Sequence, residues 1–229
     1  MALAASVVTG APSAEKRGGP SSRNDNIRST KNGSERSKPF SRETRSVKVP
    51  HHRFPALKRV WMDVYSPIVE QCKLEIRMNL RGRTVELRTC PSTMEAAGAE
   101  GCKALLQKAE DFVKAVIAGF DVKDAIALLR MDDVYIEGFE VKDVRANLQG
   151  DNLSRCIGRM SGSHGKTKYT IENVTRTRIV IADTHIWVMG TTQNIRVARD
   201  ALCDLIRGSP AAKVYTRVRA VMNRVNDAF

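Results

Sequence analysis

A chain of 229 residues with 38 Lys and Arg against 25 Asp and Glu carries a formal net charge of +13, which points to a polyanion, either a nucleic acid or an acidic membrane surface. No stretch reaches the length of a membrane span, so nucleic acid is preferred. The five cysteines are odd in number and lack C-x-x-C spacing, which argues against a disulfide framework or a metal site and for reduced core thiols.

Residues 1–50 hold ten basic and four acidic residues, are rich in Ser, Gly and Asn, and show no apolar period. Such a segment cannot bury enough surface to offset its ordering entropy, so a disordered basic tail is expected. It reads as an arm that orders on RNA, as arginine-rich segments do, or as a solvated linker with a nuclear address. The apolar residues 1–8 have no basic residue ahead of them, which argues against a secretory signal. The Ser-, Arg- and Lys-rich run that follows leaves a mitochondrial presequence open, against four acids.

Residues 51–132 are expected to fold. Leu57, Val60, Trp61 and Val64 recur at helical spacing over residues 56–65. Ser66 and Pro67 then look like a cap and a first helical residue for a short helix running to Cys72. His51 and His52 form a pair with no cysteine beside them and read as a polar turn. Alternation of Leu74, Ile76, Met78 and Leu80, and of Val85 and Leu87, predicts a hairpin turning at Arg81 and Gly82. A loop containing Pro91 and Gly98 leads to a helix from about Ala104, with Leu105, Ala109, Phe112, Val113 and Val116 on one face, ending at Gly119. Val122, Ala125, Ile126 and Leu129 predict a short amphipathic helix packed between two halves.

Residues 133–229 repeat the order and add a motif. Phe139 and Val141 alternate with polar residues in a first strand. Asp151 is placed to cap a helix whose apolar face is Leu153, Cys156, Ile157 and Met160. Then comes Gly162-Ser163-His164-Gly165, and a second helix restarts at Lys166. Strands follow over Thr177, Ile179 and Ile181 and over residues 185–189. A last helix, capped by Thr191 or Thr192, carries Ile195, Ala198, Leu202 and Leu205 and stops before Gly208 and Pro210.

A Gly-x-x-Gly turn between two helices is how KH modules clamp about four nucleotides of single-stranded RNA. Its glycines let backbone approach the phosphates, and the following helix N-terminus offers N–H donors and partial positive charge. Arg155, Arg159, Lys166, Lys168, Arg176 and Arg178 stand against one acid, Glu172, between residues 155 and 178. The candidate RNA-binding residues are therefore these six with Gly162, Ser163, His164 and Gly165. A Walker A loop is disfavoured, because the glycine it needs five residues before Gly165 is Met160. Tyr169 and Trp187 are the large rings near this region, each readable as a stacking platform or as packing.

The run from Gly165 through Lys166, Thr167, Lys168, Tyr169, Thr170, Ile171, Glu172 and Asn173 to Val180 resembles the partner-of-Nob, or Dim-two, family of small-subunit ribosome assembly factors. So do Gln193-Asn194-Ile195, Ser209-Pro210 with Lys213-Val214-Tyr215, Arg219-Ala220-Val221 and the terminal Phe229. The resemblance covers roughly residues 50–229. It departs in the loop, where that family typically has Gly-Lys-Gly-Gly. It implies an α+β fold of two KH-like domains in tandem, of eukaryotic type I. The first, residues 51–132, has no Gly-x-x-Gly turn. The second, residues 133–229, has the turn and a C-terminal extension.

The resemblance also implies a function. It is a binder of the 3′ region of small-subunit precursor rRNA that helps position a Nob-type endonuclease and contacts a Dim-one-type dimethyltransferase. Other pre-40S assembly factors and ribosomal proteins are implied partners. The implied location is the nucleus and nucleolus, with the cytoplasm a further station for late pre-40S particles. The competing readings are a KH regulator of messenger RNA and a structural subunit of an RNA-processing or ribosomal particle. No nucleophile elbow, H-E-x-x-H motif or oriented histidine is legible, so no enzyme, no metal and no cofactor are expected.

Overall fold

The structure, a computed structural model, describes residues 42–227. The expected tail over residues 1–41, with its targeting readings, lies outside the described residues. Its boundary at residue 50 needs correction. Thr44–Lys48 forms a strand, β1. It pairs antiparallel with β3 (Thr84–Arg88), which pairs in turn with β2 (Glu75–Asn79). Val47 of β1 is buried opposite Val85, and the Val49 N–H extends the ladder to the Arg83 carbonyl at 2.9 Å.

Between β1 and β2 lie α1 (Phe54–Arg59) and α2 (Trp61–Cys72). The break falls at Val60, and not at Ser66 and Pro67 as the proline predicts. Pro67 sits inside α2, where it removes a helical N–H and costs roughly 3 kcal/mol. Val64, Ile68 and Cys72 share its buried face. Burying such apolar side chains stabilises by about 1.5–3 kcal/mol for each large one, enough to hold the helix together. The joint between α1 and α2 still has no Gly-x-x-Gly.

The β2–β3 turn is where the sequence puts it, with Asn79 Oδ1 accepting from the Arg81 and Gly82 N–H groups at 3.2 and 3.1 Å. The following helix, α3 (Pro91–Ala118), is longer than expected. Pro91 is its first residue, where a missing N–H costs nothing. Gly98 (φ 69°, ψ 179°) kinks it without ending it. Two short helices, α4 (Val122–Ala125) and α5 (Ala127–Arg130), replace the single one expected and bury Ala125, Leu128 and Leu129 in the same core as α3.

The second half runs β4 (Val134–Glu140), α6 (Val141–Val144), α7 (Asp151–Ser161), a 3-10 turn (Ser163–Gly165), α8 (Lys166–Thr175), β5 (Arg178–Ala182), β6 (His185–Thr191), α9 (Thr192–Arg207) and α10 (Ala211–Asp227). Two local expectations change. Val141 opens α6 instead of continuing the strand, and Asp151 is the first residue of α7 behind Gly150, with no side-chain cap. The strand order β4-β6-β5 repeats β1-β3-β2, with the last strand in chain order central in both sheets. The fold is α+β, two three-stranded antiparallel sheets with their helices.

Both faces of the second sheet are covered, and strand alternation decides which residue goes where. Phe139, Ile179, Ile186 and Val188 enter the core beneath α7, α8 and α9. Val134, Ile136, Val180, Trp187 and Met189 turn the other way, into the core of the first half. A Cβ on Gly138 would stand 2.5 Å from the Trp187 ring. Trp187 therefore packs at the junction of the halves.

Candidate nucleic-acid interface

The site begins with α7. Cys156 and Met160 point into the core, so Arg155, Gly158 and Arg159 are left on the exposed side. Burial pushes the Cys156 thiol up, against a smaller opposing pull from Arg159, so this cysteine is a core group and no nucleophile. Cys72 is held high by burial in the same way. Among the described residues no group of three His, Cys, Asp or Glu could hold a metal ion. No helix among them is long and apolar enough to cross a membrane.

The helix stops at Gly162 (φ 72°, ψ 177°), whose N–H donates to the Gly158 carbonyl at 2.8 Å. One 3-10 turn follows, closed by the Gly165 N–H on the Gly162 carbonyl at 3.3 Å. Gly162 is required by packing as well as by φ, and Gly165 by φ. A Cβ on Gly162 would stand 2.9 Å from the Thr167 nitrogen, and one on Gly165 (φ 75°) 2.9 Å from the Tyr169 ring. His164 also adopts positive φ, 53°.

The chain then enters α8 without a side-chain cap and with no acid in the first turn. The first-turn N–H groups of α8 and the positive end of its dipole thus face the turn uncompensated. Ser163, His164 and Lys166 are exposed around it. Lys168 is partly engaged, 3.8 Å from Glu172 and 5.3 Å from the centre of the Tyr169 ring. Tyr169 is 55% exposed, the condition a stacking platform needs. The arrangement can hold an anion by backbone donors and two lysines, with an aromatic face alongside.

The structure brings together Gly162, Ser163, His164, Gly165, Lys166 and Lys168, with Arg155 and Arg159 on the exposed side of α7. It separates Arg176 and Arg178 from them. Arg176 caps the far end of α8, ten residues and so about 15 Å away along the axis. Arg178 lies on the sheet face that meets the first half, and its Nε donates to Asp124 at 2.9 Å.

Sequence reasoning missed what fixes α8. Glu172 counts as an exposed acid by composition, yet it is buried at 4% exposure, and its Oε1 accepts the Ile179 N–H at 2.7 Å. Thr175 and Thr177, both buried, share a hydroxyl–hydroxyl bond of 2.8 Å beside it. These contacts tie α8 to β5 and thereby set the direction of its N-terminus. The signal available was the helical spacing of Lys168, Glu172 and Thr175, which puts Glu172 near the inward face.

Residues 138–223 match a family model described as a eukaryotic-type KH domain (KH-domain type I). An RNA-binding protein pno1 from Dictyostelium discoideum is 51% identical over 187 residues, 82% of this chain and 75% of that protein. A pre-rRNA-processing protein pno1 from Aspergillus oryzae is 53% identical over 187 residues, 82% of this chain and 69% of that one. A crystal structure of an a/eIF2alpha–aDim2p–rRNA complex from Pyrococcus horikoshii is similar with TM-score 0.67 at 24% identity. The match covers 81% of this chain and 97% of that one.

Proposed function

This chain belongs to the PNO1/Dim2 family of KH-domain pre-rRNA-processing proteins, which are non-enzymatic RNA binders, and from that premise we propose that it binds the 3′ region of small-subunit precursor rRNA. The single observation that carries the binding mode is the 162–165 turn, which leaves the N-terminal N–H groups of α8 uncapped beside Lys166. Phosphates of about four nucleotides seat there. Tyr169 offers a ring to a neighbouring base, and Arg155 and Arg159 extend the positive field. The pre-rRNA-processing role named for relatives and the rRNA in the Pyrococcus complex support the choice of RNA.

The bound chain helps position the 3′-end endonuclease and the rRNA dimethyltransferase during pre-40S maturation, in the nucleolus and in late particles. Residues 42–132 brace the RNA-binding half. Their joint between α1 and α2 has no glycine turn, and their sheet and α3 share a core with Trp187 and Met189. Arg176 and Arg178 are left out of the RNA contact set. Gradient sedimentation of the tagged chain tests the functional reading. Migration with pre-40S particles and crosslinks to the 3′ region of the precursor are expected. Migration with messenger particles, or only with mature subunits, would overturn it.

A further inference from the structure

A second basic surface lies beside α7. A cleft of about 650 Å³ opens between α7 and the segment leading into it, lined by Arg145, Asn147, Asn152, Arg155, Gly158 and Arg159 around the buried Leu148. None of these residues is acidic. Arg145, Arg155 and Arg159 are all exposed and form no ion pair among the described residues. By contrast Arg45, Arg77, Arg178, Arg199 and Arg217 each meet a carboxylate. Three like charges gathered without a counter-ion repel one another, a cost that an anion in the cleft would remove.

Gly158 supplies an independent observation. A glycine inside a helix is less favourable than alanine, and packing gives no reason for it here, since a Cβ would meet nothing within 4 Å. Its bare backbone opens onto the cleft instead. Such a position suits close approach of a ligand to the chain.

The geometry points to a second phosphodiester site in this cleft, taking the RNA strand beyond the 162–165 turn. This rests on the reading of that turn as an RNA clamp. Arg155 precedes Gly162 by seven residues, about 10 Å along the helix, so the two sites hold different phosphates of one strand. Arg145 and Arg155 grip the phosphate from the two walls, with the Asn147 and Asn152 amides as further donors.

The test uses the full chain with single-stranded RNAs of about four nucleotides, matching one Gly-x-x-Gly clamp, and about three times that length. Arg145→Ala with Arg155→Ala should weaken the longer RNA by about tenfold or more. It should flatten the log–log salt dependence by up to about 0.7, the worth of one single-strand phosphate contact, and weaken the shorter RNA far less, by the share of positive field that Arg155 lends the turn. Gly158→Ala narrows the cleft without altering charge and favours the helix; it should also weaken only the longer RNA. Lys58→Ala with Arg59→Ala, both exposed on α1, controls for net charge.

Unchanged affinity for the longer RNA, or an equal loss for both lengths, would overturn the cleft as a separate site. Ser163→Asp with His164→Asp keeps the two readings apart. If that pair weakens both RNAs and the arginine pair neither, the clamp stands and the cleft falls. If only the arginine pair acts, the clamp falls and the cleft stands. A mononucleotide that displaces the longer RNA as well as a second RNA does would also overturn it, since a free phosphate would then suffice.

Discussion

Gly162 lies so close against Thr167 that a Cβ on it would stand 2.9 Å from the Thr167 backbone nitrogen. The contact is with backbone, which cannot swing aside, and φ at Gly162 is 72°. Gly162→Ala should therefore destabilise the chain by about 1–3 kcal/mol through strain and overpacking. Denaturant unfolding measures it, and an unchanged midpoint would mean that the turn has another packing. A loss of RNA binding in a glycine variant consequently says little about phosphate contacts, because the turn itself is damaged.

His164 makes the converse case. It is exposed and holds φ 53°, ψ 30°, a conformation that costs an L-residue roughly 1–2 kcal/mol and costs glycine little. His164→Gly should raise stability by about 1 kcal/mol or less, once the greater freedom of glycine in the unfolded chain is subtracted. His164→Val should lower it, because a β-branched residue is poorly accommodated at positive φ. Thermal unfolding of the two variants side by side would reveal the opposite signs.

The bond from the Ile179 N–H to Glu172 Oε1 fastens α8 to β5. Glu172→Ala leaves that buried N–H without an acceptor and should cost about 1–3 kcal/mol. Glu172→Gln keeps an acceptor oxygen and should recover part of the loss. Hydrogen exchange at Ile179 distinguishes this from a general loosening. Protection should fall in the alanine variant and largely return in the glutamine one, whereas equal protection in both would rule out the bond as the fastening.

The repeated order of helices and strands was legible because each half carries unbroken apolar periods, from Leu105 to Val116 in one and from Ile195 to Leu205 in the other. β1 was not. Val47 is the lone strongly apolar residue of its five, and the strand depends on β3, about forty residues further along the chain. The joint at Val60 was misplaced because proline is a strong local signal, while the core that buries Val64, Ile68 and Cys72 and so carries the helix through Pro67 is completed by distant residues. In the site, the Gly-x-x-Gly step and its lysines were local and readable. The place of Arg178 away from the turn was not legible because its partner Asp124 lies 54 residues earlier, and composition counts charges without showing which sheet face they occupy. Arg145 and Asn147 escaped notice because the segment before α7 has no period to read, and Asn152 because one polar residue on the exposed side of a helix carries no signal by itself.

The RNA clamp at the 162–165 turn is tested most directly by the affinity of the full chain for small-subunit precursor rRNA from its 3′ region, with and without Ser163→Asp and His164→Asp. Both positions are exposed, both glycines are kept, and aspartate tolerates the positive φ of position 164, so the variant should unfold at nearly the same denaturant concentration as the parent. Two carboxylates within about 4 Å of bound phosphates repel them by about 1 kcal/mol each even at the dielectric of water. Affinity should then fall on the order of tenfold or more, with the largest loss at low salt. Undiminished affinity in a variant that remains folded would contradict the clamp.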